Sequence, residues 1–389
     1  MISAAKARVT VKAKSMGAAD LGADPVGGRV YHGGDIAAAA SRFPRATRPW
    51  LDLSTGINPI AYPVGELSAA CWARLPEPSD VRALEQAAAL AYRAPGAAMV
   101  VAAPGAQALI QWLPRLRVAK RVGVLGFTYA EHQARWRASG ATVEIVPRLE
   151  ALEAFDVAVI VNPNNPDGRL VPQDRLVVLA RLLARCGGLL VVDEAFMDAQ
   201  PAGGSLIPAL TGEGTVVLRS FGKLYGLAGL RLGFLIAAPP VAIEMRDALG
   251  AWAVSGPAVD IGRRALSDRA WREQAVARLQ RDAARLDALL SAAGFAIEGG
   301  TLLFRLARHS DASGWFARLG EAGILVRPFI AQPSWLRFGL PGAERDWRRL
   351  ARALGIYERG SATSHPNSAA EAWSQDQKLP AKERMTDIS

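Results

Sequence analysis

The sequence predicts an α/β protein whose mostly parallel central sheet lies between helices, joined to a smaller α+β domain. Three features lead there. Continuous Val/Leu/Ile runs recur along the chain, segments of helical period lie between them, and several runs stop at Gly, Asn/Pro or acidic turns. Unbroken apolar strands separated by helices are the pattern of a parallel sheet covered on both faces. MVVAA (99–103) opens the series and leads through a turn into the helix PGAQALIQWL. RVGVLGF (121–127) precedes a helix from Ala130 to Ser139. TVEIVP, DVAVIVN, GLLVVDEAF and TVVLRSF follow, with helices such as QDRLVVLARLLARC between some of them, and LGFLIAA (232–238) comes last. A long amphipathic helix from Asp268 to Ala293 then leaves the sheet. Beyond it TLLFRLA and ILVRPFI read as strands, and AERDWRRLARALG as the last helix.

The expected organisation is an extension at 1–29, an N-terminal arm at 30–70 that shares the smaller domain, and a large sheet domain at 71–285. The rest of the smaller domain occupies 286–357, and a polar tail 358–389. Both ends lack periodicity and have the composition of disordered segments.

Half of the 389 residues are hydrophobic, enough for a large core and two domains. No stretch of about 20 uninterrupted apolar residues marks a membrane span. The basic N-terminus, MISAAKARVTVKAKSMGAAD, lacks the apolar core of a secretion signal, while a transit peptide and a plain extension both fit it. There are two cysteines, Cys71 and Cys186, and four histidines, without CxxC or HxxxH spacing. Neither a disulfide framework nor a metal site is expected, and a reduced cytoplasmic compartment follows. The net charge of +10 could attract nucleic acid or acidic small molecules. The arginines are spread along helices without a basic run, so a solvated basic surface and no nucleic-acid partner is the simpler expectation.

In such a sheet the ligand sits at the carboxyl ends of the strands. Four segments end there. APGAQALI (103–110) places Gly105, Ala106 and Gln107 at a helix N-terminus, where N–H groups and the helix dipole favour a phosphate, or where the chain simply turns. DVAVIVNPNNPDG (156–168) stops in an Asn/Pro turn. GLLVVDEAF ends in Asp193 and Glu194. A carboxylate at the end of a buried strand needs a cationic partner, a metal or a protonated ring nitrogen, unless it is a solvated loop acid. TVVLRSFGKLYGLAGLRLGF (215–234) is the most specific segment, with Ser220, Lys223 and Arg231 among closely spaced glycines. It fits neither a Walker loop nor a dinucleotide-binding turn.

In this order the four segments resemble the pyridoxal-phosphate (PLP) enzymes of fold type I, the class I/II aminotransferase superfamily. The resemblance covers Tyr31 to Tyr357. It implies that Lys223 carries PLP as a Schiff base, that Asp193 pairs with the ring nitrogen, and that Asn165 bonds the ring 3′-oxygen. Ser220, Arg231 and the Gly105–Gln107 turn would hold the cofactor phosphate, and Arg337 of WLRFGLP the substrate carboxylate. An Arg fork suits a carboxylate. The stacking aromatic would be His132, with Tyr129 as the alternative. Two departures stand out: Phe196 where the family usually has Tyr, and Leu75 where a tyrosine usually reaches the neighbouring subunit's cofactor.

Within the superfamily the chain resembles the histidinol-phosphate aminotransferase branch. YHGGD (31–35), DLSTGINP (52–59), LPEP (75–78), WAVSGPA (252–258) and WLRFGLP (335–341) resemble the threonine-phosphate decarboxylases of cobalamin synthesis. That resemblance implies decarboxylation of O-phospho-L-threonine, a small phosphorylated amino acid, by a homodimer. It puts His32, Gly56, Arg327 and Arg337 around the substrate. Two other readings remain open at this point: a histidinol-phosphate-type aminotransferase, which the same residues could serve, and a non-catalytic protein that keeps the fold. Lys223 argues against the last.

Overall fold

The apolar runs assemble as their patterning requires. A computed structural model describes residues 32–356, apart from 201, 202, 211 and 213. The strands are β1 Leu51–Asp52, β2 Val100–Ala103, β3 Arg121–Leu125, β4 Thr142–Val146, β5 Val157–Val161, β6 Leu189–Asp193, β7 Thr215–Ser220, β8 Gly233–Ala237, β9 Ala296–Thr301, β10 Phe304–Arg308, β11 Ile324–Leu325, β12 Arg327–Pro328 and β13 Trp335–Gly339. The helices are α1 Ile36–Arg42, α2 Ala69–Ala73, α3 Pro78–Tyr92, α4 Ala106–Leu116, α5 Ala130–Ala138, α6 Gln173–Arg185, α7 Phe221–Leu224, α8 Pro239–Leu249, α9 Gly256–Ser267, α10 Arg269–Ala292, α11 Ala312–Glu321 and α12 Glu344–Ala353.

Seven strands form one sheet in the order β2-β8-β7-β6-β5-β3-β4. All its pairings are parallel except those of β8, which runs antiparallel to β2 and β7. Successive residues of a strand point to opposite faces. Val157, Val159, Leu189, Val191, Val216 and Leu218 enter one apolar cluster, while Ala158, Ile160, Leu190, Val192 and Val217 enter the other. Because each face meets helices, neither half of the pattern turns polar, which is why these strands read as continuous runs. The two edges differ. On β4 the edge is open, with Ile145 half-exposed. On β2 the Glu85 carboxylate of α3 accepts from the Ala102 N–H (3.1 Å) and is paired with Arg246, so an edge donor is covered.

A second, antiparallel sheet has the order β12-β13-β10-β9. Between the sheets runs α10, capped at its start by Asp268, whose carboxylate accepts from the Trp271 N–H (2.9 Å). The segment after α1 reaches the C-terminal strands early: β1 pairs in parallel with β11, and the Gly339 N–H donates to the Leu53 carbonyl (2.6 Å). Those bonds carry Ser54, Thr55 and Gly56 onto the side of the second sheet that faces the first. Among the described residues no helix is long and apolar enough to cross a membrane. The expected extensions at 1–29 and 358–389 lie outside the described residues.

Candidate active site

The carboxyl ends of β2, β5, β6 and β7 open onto a cavity of about 310 Å³. The reversed direction of β8 brings its start, and Arg231 just before it, to the same end. The opposite wall comes from His32 and Gly33, from 54–57, and from Arg327 and Arg337. Of the residues the sequence singles out, His32, Gly56, Gly105, Ala106, Gln107, Asn165, Asp193, Ser220, Lys223, Arg231, Arg327 and Arg337 line this cavity.

His132 does not line it, which corrects its assignment as the stacking ring. Helix α5 begins at Ala130, so Tyr129 is its N-cap and faces the cavity, while His132 lies one turn lower, 1 % exposed. There His132 Nε2 meets Asp193 Oδ2 at 2.8 Å. An ionised carboxyl oxygen only accepts, so Nε2 carries the hydrogen in this contact. The Asp193 Oδ1 atom accepts from the Ala195 N–H (3.0 Å). Asp193 is thus held from both sides at the end of β6.

Lys223 sits in α7 immediately after β7. Burial and the neighbouring Arg337 push its amine down to about 8, against the opposing pull of Asp193, with Arg327 and Arg231 adding to the depression. Phe196 presents its ring 5.5 Å from the Lys223 Nζ.

On the turn after β2, Gly105 has φ +86° and is the N-cap of α4. A Cβ there would lie 2.8 Å from Arg231 Nη2, so glycine lets the guanidinium close over the turn. A Cβ on Gly233 would lie 2.4 Å from the Ala106 nitrogen, so the start of β8 also packs directly on this helix end. Orphan N–H groups, Arg231 and Ser220 are the donors that an anion at this end of the cavity would meet. The Gln107 side chain is engaged elsewhere. Its Oε1 accepts from the Tyr129 hydroxyl (3.2 Å) and its Nε2 donates to Glu131 Oε2 (2.7 Å), which leaves its backbone for an anion. Burial, with Glu131 and Asp193 nearby, pushes Tyr129 up to about 12, so it stays a neutral hydroxyl.

Arg337 donates from Nη1 to Asn165 Oδ1 (2.6 Å) and from Nη2 to the Ser54 carbonyl (2.7 Å). Its guanidinium lies 4.9 Å from the Phe304 ring centroid. It is 3 % exposed, and burial together with Arg327 holds it well below the usual arginine range. Its Nε has no hydrogen-bond partner among the described residues, the kind of orphan donor that an anionic ligand satisfies. Arg327 and Arg337 are direct cross-strand neighbours in the β12–β13 pairing. Like charges placed opposite each other are unfavourable by themselves, so the pair marks a place built for negative charge.

The HGGD turn rests on the STG loop. The Gly34 N–H donates to Ser54 Oγ (2.7 Å), which donates to Asp52 Oδ1 (2.6 Å). A Cβ on Gly33 would meet the Ser54 carbonyl oxygen at 2.5 Å. His32 then reaches Glu131 at 3.2 Å. Gly56 is equally confined: a Cβ there would lie 2.8 Å from Phe304 and 3.0 Å from Phe196. The roles of Glu131 and of the Ser54 carbonyl escape a reading of the sequence. The first depends on three side chains far apart in the chain, and the second is a backbone contact with no residue signature.

A buried, low-pKa lysine beside an anchored aspartate, with an anion cradle at one end, fits PLP. Residues 72–354 match the family model for aminotransferases of class I and II. The chain belongs to this family. Among class I/II relatives, it is 46 % identical over 334 residues to a threonine-phosphate decarboxylase of a Sinorhizobium species, covering 85 % of this chain and 98 % of that protein. It is 42 % identical over 326 residues to the threonine-phosphate decarboxylase of Pseudomonas aeruginosa, covering 83 % and 96 %. The histidinol-phosphate aminotransferase of Oleidesulfovibrio alaskensis is 35 % identical over 195 residues, half of that protein. Among class I/II structures, histidinol-phosphate aminotransferase from Sinorhizobium meliloti, solved in complex with pyridoxal-5′-phosphate, superposes with a TM-score of 0.75. At 22 % identity, covering 82 % of this chain and 93 % of that one, it establishes the shared fold.

Proposed function

We propose that the protein is a PLP-dependent carboxy-lyase that converts O-phospho-L-threonine into CO2 and (R)-1-aminopropan-2-yl phosphate, as a step of cobalamin assembly. The observation that carries this reading is the Arg327–Arg337 pair, two cations side by side in a cavity that also holds Lys223. A substrate with both a carboxylate and a phosphate supplies the two negative charges. The 42–46 % identity to threonine-phosphate decarboxylases over almost their whole length supports it.

Bound PLP supplies a sink for the electron pair left on Cα when CO2 departs. The chain's own residues do the rest. Lys223 would hold the cofactor through Nζ, and the same Nζ would return a proton to the substrate Cα. Asp193, fixed by His132 and the Ala195 N–H, supplies the anion for the cofactor ring nitrogen. Tyr129 provides the aromatic face and Asn165 the contact to the ring oxygen. Ser220, Arg231 and the 105–107 backbone take the cofactor phosphate. Arg337 clamps the substrate carboxylate, while Arg327 and His32 face its phosphate and Gly56 leaves room for it. The working form is a homodimer in the cytoplasm, with a large domain at 71–285 and a smaller one formed by 30–70 and 286–357.

The test is incubation of the protein with PLP and O-phospho-L-threonine in the absence of any oxo-acid. CO2 and aminopropanol phosphate are expected in equal amounts. Exchange of amino groups between glutamate and histidinol phosphate, without CO2, would replace this reading by the aminotransferase one.

A further inference from the structure

Helix α7 is four residues long, so its last carbonyls lie beyond the intrahelical ladder, and that of Lys223 takes a long bond from the Gly226 N–H (3.4 Å). The segment 58–62 adds shorter bonds. The Asn58 N–H donates to the Lys223 carbonyl (2.9 Å), and the Tyr62 N–H to the Tyr225 carbonyl (2.9 Å). Between them Asn58 Nδ2 donates to the Leu224 carbonyl (2.7 Å), across 166 residues of sequence. Gly226 lets the two segments touch: its φ is +67°, and a Cβ there would lie 2.7 Å from the Asn58 carbonyl oxygen.

Asn58 is 2 % exposed and does not line the cavity. Its Oδ1 accepts from Arg278 Nη2 (2.8 Å) and from the Ile60 N–H (3.1 Å). Arginine only donates, so it fixes which end of the amide is oxygen and turns the NH2 group toward Leu224. Arg278 belongs to α10, so the contact ties the long helix to the lysine turn.

We propose that Asn58 is a positioning residue for Lys223, acting as the C-terminal cap of the lysine-bearing turn, with Arg278 holding its amide in the donating orientation. The proposal rests on Lys223 being the reacting lysine. That lysine has to meet two different atoms in turn, and a side chain on an uncapped single turn inherits every swing of the backbone. A displacement of about 1 Å can cost roughly 100-fold in rate. Lys223 is also crowded by Arg231, Arg327 and Arg337, with Asp193 opposing them. A slack turn lets the amine retreat from these cations toward Asp193 and water.

Two variants of the full chain test it. Asn58→Asp keeps the size and the acceptor for Arg278 but loses the donor to Leu224. Arg278→Met acts from the partly exposed α10 and leaves Asn58 in place. In the cofactor-free protein, reductive methylation of Lys223 is followed by peptide mass spectrometry against pH. In the holoenzyme, kcat and KM for O-phospho-L-threonine are measured. Both variants are expected to move the Lys223 midpoint upward, toward that of an ordinary lysine. They should lower kcat about tenfold or more while KM changes by less than about threefold, as expected for lost orientation. An unchanged midpoint with unchanged kcat in a folded variant overturns the proposal, as does a loss confined to thermal stability or to KM. Should Asn58→Asp fail to fold, Arg278→Met decides by the same criteria. Failure of the wild type to release CO2 would remove the proposed function yet leave the methylation midpoint readable.

Discussion

Burial, with Arg337 beside it, leaves Lys223 largely unprotonated at a pH where an exposed lysine is almost wholly charged. Only the free amine can attack the cofactor aldehyde. The rate at which the cofactor-free protein takes up PLP should therefore rise about tenfold per unit below pH 8 and level off above it. A plateau reached only above pH 10 would show an ordinary lysine. The same shift leaves the folded, cofactor-free chain with fewer protons than the unfolded chain between pH 8 and the normal lysine value. Lys223's contribution to stability thus rises with pH across that window. Asp193→Asn should keep the fold, because the amide oxygen still accepts from the Ala195 N–H and the NH2 group can donate to His132 Nε2 once the imidazole hydrogen sits on Nδ1, but lower kcat by about 100-fold through loss of the anion. Near-normal kcat would take Asp193 out of the chemistry. In the sequence Asp193 stands out because it ends a continuous apolar run in a charge, and Lys223 because it follows another such run by three residues among closely spaced glycines. The choice between Tyr129 and His132 was not legible. They stand three residues apart at a loop–helix junction, and which one faces the cavity depends on where α5 begins.

At the scale of elements, the segment after β6 is locked to strand β7. Arg219 of β7, 4 % exposed, pairs with Glu194 (3.0 Å) and Asp198 (2.6 Å), and its guanidinium lies 4.8 Å from the Tyr92 ring centroid. Burial pushes both carboxyls up, while Arg219 pulls them back down. Arg219→Met would leave two buried acids without their main cation, at a cost of about 3–5 kcal/mol. Denaturant unfolding of the cofactor-free protein measures it, and a change below about 1 kcal/mol would mean that the cluster is relieved by other groups. The β12–β13 pairing leads to a different expectation. In Arg327→Ala, affinity for O-phospho-L-threonine should fall by about 2 kcal/mol or more, roughly 30-fold in KM. PLP affinity should change little, and equal losses for both ligands would move Arg327 to the cofactor cradle. The strands themselves were readable because burial on both faces leaves unbroken apolar runs. The reversed direction of β8 was not, since a buried strand carries no mark of its direction, and neither was the two-residue pairing of β1 with β11.

For the molecule as a whole, the central sheet and its order of motifs followed from patterning. Three extended residues, such as 51–53, cannot announce in sequence that they will join strands some 270 residues later. The homodimer proposed above belongs to this scale, and the surface supports it. Trp72, Leu75 and Trp252 are 70 %, 63 % and 61 % exposed, and all three line one groove with Gly229 and Leu230. Clustered large apolar side chains of that exposure mark an interaction surface. A second copy of the chain seated here would bury them, in keeping with the self-complementary contacts that most homo-oligomers use. Gly229 and Leu230 also form the turn that leads into Arg231, so covering the groove would steady one wall of the anion cradle. Leu75 adds apolar contact where relatives are expected to bring a tyrosine, so in this chain the partner would act on the cradle through packing. Sedimentation velocity should give a mass twice the 41.3 kDa of one chain. Trp72→Glu combined with Trp252→Glu should halve that mass and weaken PLP retention, while the isolated chain keeps its far-ultraviolet circular dichroism. A wild type that sediments as a single chain with full CO2 release would remove the homodimer, and a variant that stays dimeric would move the interface away from this groove.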